Sequence, residues 1–378
     1  MSRNKDPQAP ATIDPGIAIA TGLLIGTGVV MSYSATAALA LDARFPPLFF
    51  NHLSGLCLGL VAAAGAYAMP SALLRRLALP IWGLTVALLV ATILFGIEVN
   101  GAQRWLALPG LRFQPGELAK CATLIAVAAW LSRKDDRREI STRRSVQAAG
   151  LALLPAALLL LQPDLGNAVV LVVLTAGLLF IAGTPWPRFV LPGIAGIVVV
   201  GVYVASNAYA WRRIMGFLDP FREAQGAGWQ LVQSYVAFGQ GGLLGQGLGN
   251  SRQKLEYLPE VHTDFVLALI AEELGLIGVL FVLGAFAALW VAGTRAARRA
   301  TDRFDLLCAF GMVTLLTVPA FLNASVVMGL VPTKGLTLPF LSYGRTSLVV
   351  SCFALGILLA VARRHAPPSA NPNREGPW

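Results

Sequence analysis

Residues 77–97 read LALPIWGLTVALLVATILFGI, twenty-one positions without a charge, and Arg75 and Arg76 stand directly before them. A run of about 20 apolar residues is what an α-helix needs to cross the hydrocarbon of a bilayer. A basic pair at one end is the usual mark of a cytoplasmic edge. Scanning outward for the same pattern predicts ten spans, near 17–39, 50–69, 77–97, 116–132, 147–162, 166–184, 187–206, 263–293, 306–331 and 343–363. The expected fold is therefore all-α, a polytopic integral membrane protein. Its parts are a cytoplasmic tail 1–16, a membrane domain 17–363 with a large extracytoplasmic loop 207–262 between spans seven and eight, and a polar, Pro-rich tail 364–378. Composition agrees, with 56% hydrophobic and only 13% charged residues over 378 positions and a mean hydropathy of +0.68.

The net charge of +10 would suggest nucleic acid in a soluble chain. Here the basic residues gather in short loops between apolar runs, where membrane orientation explains them, and no nucleic-acid role is expected. Loops 70–76, 133–146 and 294–305 carry two, six and four basic residues and are read as cytoplasmic. Both termini then lie on the cytoplasmic side of the membrane. Only Gln162-Pro163-Asp164-Leu165-Gly166 separates the fifth and sixth spans, yet merging them would place loops 133–146 and 294–305 on opposite sides. Cys57, Cys121, Cys308 and Cys352 all fall inside apolar runs without CxxC spacing and read as small hydrophobes.

Three segments on the outer side are polar or long: 98–115, 207–262 and 331–342. Such loops are where function concentrates. In the first, Arg104 beside Trp105 is either an interfacial anchor or a ligand contact, and Arg112 follows. Glu117 and Lys120, three apart on one helix face, form either a structural ion pair or a cavity wall that presents Lys120 to an anion. The long loop holds six glycines between Gly239 and Gly249. No Gly-Lys-Ser/Thr follows, so they read as tight turns where backbone approaches backbone or ligand. Beyond them come Glu256 and His262. Thr263 is expected to cap the eighth span and to put Asp264 in its first turn. Asp264 either stabilises that helix end or does chemistry, and Glu272 and Glu273 are expected to pair with neighbouring helices. His262 with Asp264 is half a metal site at most. The third segment, from Met328 to Gly344, contains Lys334 and Ser342 as candidate substrate contacts, and its prolines and glycines predict a broken or re-entrant stretch.

Taken together, Gly249-Asn250-Ser251-Arg252-Gln253-Lys254, Leu258-Pro259-Glu260 and Pro332-Thr333-Lys334-Gly335 resemble the SEDS family of shape, elongation, division and sporulation proteins, over essentially all ten spans. Those motifs look most like the division-type members, although Gly116, Gln162 and Arg345 depart from the usual pattern. The resemblance implies a peptidoglycan glycosyltransferase that polymerises lipid II, the lipid-linked disaccharide-pentapeptide, on the extracytoplasmic face at the division septum. Asp264 matches the family's catalytic carboxylate; Arg112, Lys120 and Glu256 match its other charged functional positions. One carboxylate base suffices for inversion at a sugar whose leaving group is a pyrophosphate, provided cationic groups meet the departing charge. Arg112, Lys120 or a divalent cation, magnesium or manganese, would supply that charge. The resemblance also implies a class B penicillin-binding protein and other divisome membrane proteins as partners. Alternatives are an elongation-type polymerase, a lipid II flippase and a division scaffold; no inverted repeat of the kind transporters carry is visible in the sequence.

Overall fold

The computed structural model describes residues 13–37, 46–99, 102–108, 111–133, 140–222, 226, 228–253, 263–333 and 335–366. Ten of its helices occupy the ten expected spans: α1 (Pro15–Ala37), α2 (Pro47–Ala68), α3 (Ser71–Phe95), α4 (Pro115–Leu131), α5 (Thr142–Leu161), α6 (Leu165–Ile181), α7 (Pro187–Ser206), α10 (Val266–Arg299), α11 (Arg303–Val327) and α12 (Arg345–Arg364). Eight are long and apolar enough to cross a bilayer. The other two, α4 and α6, have 17 residues each. The protein is a multi-span membrane protein.

Helix starts follow local chemistry. Proline opens α2, α4 and α7, where its missing N–H would have lacked a partner anyway. Asp164 caps α6 by accepting from Asn167 N at 3.3 Å, and Asp302 caps α11 through Phe304 N and Asp305 N at 3.1 and 3.2 Å. Asp164 therefore makes the short link at 162–164 a true boundary between two helices.

The core runs along α11, α12, α4 and the first part of α10, whose side chains are buried almost all round, whereas α7 buries none. Small residues bring the backbones together, as expected where no water drives helices to associate. A Cβ at Gly356 would overlap the carbonyl of Ala63, and one at Gly59 would sit 2.9 Å from Cys352 Sγ; that is how α12 lies against α2. At one end of the bundle, Asp305 joins three helices. It pairs with Arg364 at 3.2 Å and His365 at 3.1 Å and accepts from Ser71 at 3.1 Å.

Two expectations need correction. The chain is not purely helical: 98–115 holds a small antiparallel sheet, β1 (Ile97–Val99), β2 (Ala102–Leu108) and β3 (Leu111–Phe113), in that order. Ala107 faces Arg112 across β2 and β3. Secondly, Thr263 does not cap the eighth span. Helix α10 begins at Val266 with Phe265 at its cap position and no side-chain cap bond, so Asp264 precedes the first turn. Phe265 is buried, and its anchoring in the core fixes where the helix starts. Within 207–262 the chain also folds two helices, α8 (Ala208–Leu218) and α9 (Trp229–Gly241).

Candidate active site

Helix α10 is not continuous. Gly275 has φ 66° and ψ −165° inside it, a conformation open only to glycine at no steric cost. The break frees backbone groups of residues on either side, and in an apolar medium they must be satisfied within the protein. The glycine-rich loop does so. Gln246 N and Gly247 N donate to the carbonyls of Glu272 and Glu273 at 2.9 and 3.0 Å, while Leu276 N donates to Gly242 O at 2.9 Å. A Cβ at Gly241 or Gly245 would overlap the carbonyl of Ala271 or of Glu273. The glycines thus serve the approach of backbone to backbone.

Both acids at this break point inward and are fully buried. Glu272 accepts from Ser251 Oγ, from Arg252 N at 2.9 Å and from Gln253 N at 3.4 Å, latching the loop to the helix. Glu273 takes the Ser34 hydroxyl of α1, 2.6 and 2.7 Å from its two oxygens. The expectation of pairing with neighbouring helices holds for Glu273 alone; the partner of Glu272 is a loop.

Asp264 sits half-buried ahead of α10. The Asn323 amide of α11, itself buried, donates to Asp264 O at 2.7 Å and to Leu336 O at 2.6 Å. Its two N–H groups therefore tie the Asp264 backbone to the segment that follows Lys334. The Asp264 carboxylate lies beside Gly335, where a Cβ would come within 2.9 Å of Oδ2. The same segment continues over the Glu117–Lys120 pair. Lys120 Nζ and Glu117 Oε1 are 2.8 Å apart and buried, next to a cavity of about 10 Å³ lined also by Leu336, Thr337, Pro339 and Ser347. That is near the least volume that holds one water. One stretch, 335–342, thus meets the carboxylate at Gly335 and lines the lysine's cavity at Leu336, Thr337 and Pro339.

The remaining candidates divide. Arg112 is exposed on β3. Arg104 donates to the carbonyl of Pro163, a tether between the small sheet and the α5–α6 boundary. Ser342 is buried and closes its own turn, accepting from Leu338 N at 2.7 Å. Glu256, His262 and Lys334 lie outside the described residues. Among the described residues no three His, Cys, Asp or Glu side chains converge on one point. Sequence reasoning missed Asn323 and Arg213, which donates to Thr333 O at 3.1 Å from α8. An amide inside an apolar span was the available signal for Asn323.

A family model described as "Cell cycle protein", covering FtsW, RodA and SpoVE, matches residues 16–366. The chain belongs to this family. Among similar proteins, one named "Probable peptidoglycan glycosyltransferase FtsW" from Trichlorobacter lovleyi is 40% identical over 90% of each chain. Another of the same name from Geobacter metallireducens is 42% identical over 89% of this chain and 91% of its own. The fold matches a chain from a structure on the coordination of polymerization and crosslinking by a peptidoglycan synthase complex, with TM-score 0.77, 30% identity and coverage of 94% and 99%. The rod shape determining protein RodA of Thermus thermophilus matches with TM-score 0.69 and 29% identity, over 94% of this chain and 98% of its own. The sequence match and the fold match both run over nearly the whole chain.

Proposed function

We propose that the protein is a division-type peptidoglycan glycosyltransferase of the FtsW kind, polymerising lipid II with Asp264 as the general base. The observation that carries this reading is the 335–342 segment, which lies against the Asp264 carboxylate at Gly335 and lines the Lys120 cavity at Leu336, Thr337 and Pro339. In the reaction, the acceptor sugar hydroxyl attacks the anomeric carbon of the donor and passes its proton to the Asp264 carboxylate. The bond from that carbon to the pyrophosphate oxygen breaks, and the lipid pyrophosphate leaves with the electron pair. Attack opposite the leaving group inverts the anomeric centre. Exposed Arg112 can reach a ligand directly. Lys120 lines one small cavity with Leu336, Thr337 and Pro339 of that segment, and its charge would meet the departing pyrophosphate.

In this reading residues 207–262 and the site face the extracytoplasmic side at the septum, both termini are cytoplasmic, and a class B penicillin-binding protein is the membrane partner that cross-links the product. A flippase shares the broken helix of α10 as a feature. Here, however, the groups freed at Gly275 are taken up by the glycine-rich loop instead of lining a passage, which favours the enzyme.

The test is lipid II polymerisation by the purified chain, with and without its transpeptidase partner, comparing wild type with Asp264→Asn. Loss of a general base costs roughly 100-fold to 10,000-fold in rate, while lipid II binding and thermal stability should persist. Near-wild-type polymer from a folded Asp264→Asn protein would overturn the assignment.

A further inference from the structure

At the far end of α3 and α4 from the Lys120 cavity lies a feature that the glycosyltransferase reading does not use. Ala72, Arg75, Arg76 and Leu79 of α3 face Ala129 and Arg133, at the end of α4, across an open groove of about 340 Å³. Positions 72, 75, 76 and 79 follow helical spacing, so one face of α3 forms a wall. From Lys120 to Ser132 is about 18 Å of helix at 1.5 Å per residue, most of the way across a bilayer.

Two of the three guanidinium groups are held in place. Arg75 Nη2 donates to Ser132 O at 2.8 Å, one of the carbonyls left over at the end of α4. Arg133 lies over the Trp130 ring, 4.4 Å from its centroid. Among the described residues no Asp or Glu lines the groove. Three positive charges around a concave space, two of them fixed, suit the binding of an anion. The chemistry of that anion follows from the surroundings. Beside the groove α3 presents an apolar flank, with Leu73 43% and Leu84 60% exposed. A small soluble anion would leave that flank unused, whereas a diacyl lipid fills both the charged and the apolar part.

We propose that this groove binds the phosphodiester headgroup of an anionic phospholipid, seated by Arg75, Arg76 and Arg133, with its acyl chains along α3. Basic pockets between membrane helices bind lipid headgroups in this way. The inference stands whether or not Asp264 is the catalytic base.

The experiment is native mass spectrometry of the detergent-purified full chain with phosphatidylglycerol, phosphatidylcholine or inorganic phosphate. Wild type should retain one phosphatidylglycerol, fail to retain phosphatidylcholine, and keep the anionic lipid against excess phosphate. Each basic residue near an anionic headgroup is worth roughly fivefold in binding, so Arg75→Gln, Arg76→Gln and Arg133→Gln together should lose on the order of 100-fold. Substituting Arg295, Arg298 and Arg299 by Gln should leave retention unchanged. Ala72→Trp fills the groove with its charges intact and should also expel the lipid, so it decides the matter if the triple variant is unstable. Equal losses in the two triple variants, retention in Ala72→Trp, or displacement of the lipid by phosphate would each overturn the proposal.

Discussion

Glu272→Gln tests whether the loop before Asp264 is held by one side chain. Oε1 of Glu272 accepts from Arg252 N, and Oε2 accepts from Ser251 Oγ and Gln253 N. Glutamine keeps one oxygen. Its better orientation puts that oxygen on Arg252 N and the amide on Ser251, whose hydroxyl can rotate to accept. Gln253 N then faces an N–H group instead of an acceptor. One bond is lost outright, and the others lose the strength that a charged acceptor gives, typically 1.5–3 kcal/mol against about 1 kcal/mol for a neutral one. The lost bond, at 3.4 Å, is the weakest of the three, so the low end of these figures applies, about 2–3 kcal/mol, equivalent to roughly a 30-fold to 150-fold shift toward a detached loop. Because the helix break is still satisfied by backbone bonds, the loss should appear as local opening with little global unfolding. Limited proteolysis after Arg252 should therefore accelerate by about the same factor if cleavage follows the open population. Lipid II turnover should fall with it, and Ser251→Ala should show a smaller effect. Wild-type proteolysis and wild-type turnover in Glu272→Gln would refute the latch.

Asn323→Asp keeps the size of the side chain but aims a carboxylate at the carbonyls of Asp264 and Leu336. Each buried acceptor left without a donor costs about 1–3 kcal/mol, so a drop in melting temperature and loss of polymer are expected; an active, equally stable variant would remove Asn323 from the site. Lys120→Met should abolish polymerisation while Glu117→Gln is milder, as read on a glycan gel with a folded-protein control. If both merely unfold, the pair is structural. Topology is checked with an impermeant thiol reagent on intact spheroplasts in a background lacking Cys57, Cys121, Cys308 and Cys352. A cysteine placed at exposed Asn250 should label and one at exposed Thr301 should not, and the reverse pattern would invert the orientation.

Hydropathy made the spans legible because each must match the same bilayer thickness, and the break between α5 and α6, ambiguous in Gln162-Pro163-Asp164 itself, followed from the side on which the basic loops 133–146 and 294–305 had to fall. The pairing of Glu117 with Lys120 followed from their spacing. The small sheet did not show, since three strands of three to seven residues leave too little alternation to separate from a loop. The start of α10 was misplaced because a capping residue, Thr263, stood two positions ahead of the buried Phe265, and core packing outweighed the cap. The glycines announced a close approach without naming what approaches. Their partner is the backbone at Gly275, and no side-chain pattern records a backbone contact between distant positions. For the same reason Asn323, whose partners are two main-chain carbonyls, carried no signature beyond its polarity.

The break in α10 also bears on how the chain comes together during synthesis. The loop that satisfies it is made first, and its bonds reach only from Gln246 to Glu272 and from Gly242 to Leu276, so the ring to be closed is short by the standards of a polytopic protein. Closing so local a ring carries a modest entropic penalty, and contacts of short sequence separation form early. Helix α9, the glycine turns and the first part of α10 can therefore assemble as one unit before α11 and α12 emerge from the ribosome, presenting Asp264 at its rim for Asn323 to fasten afterwards.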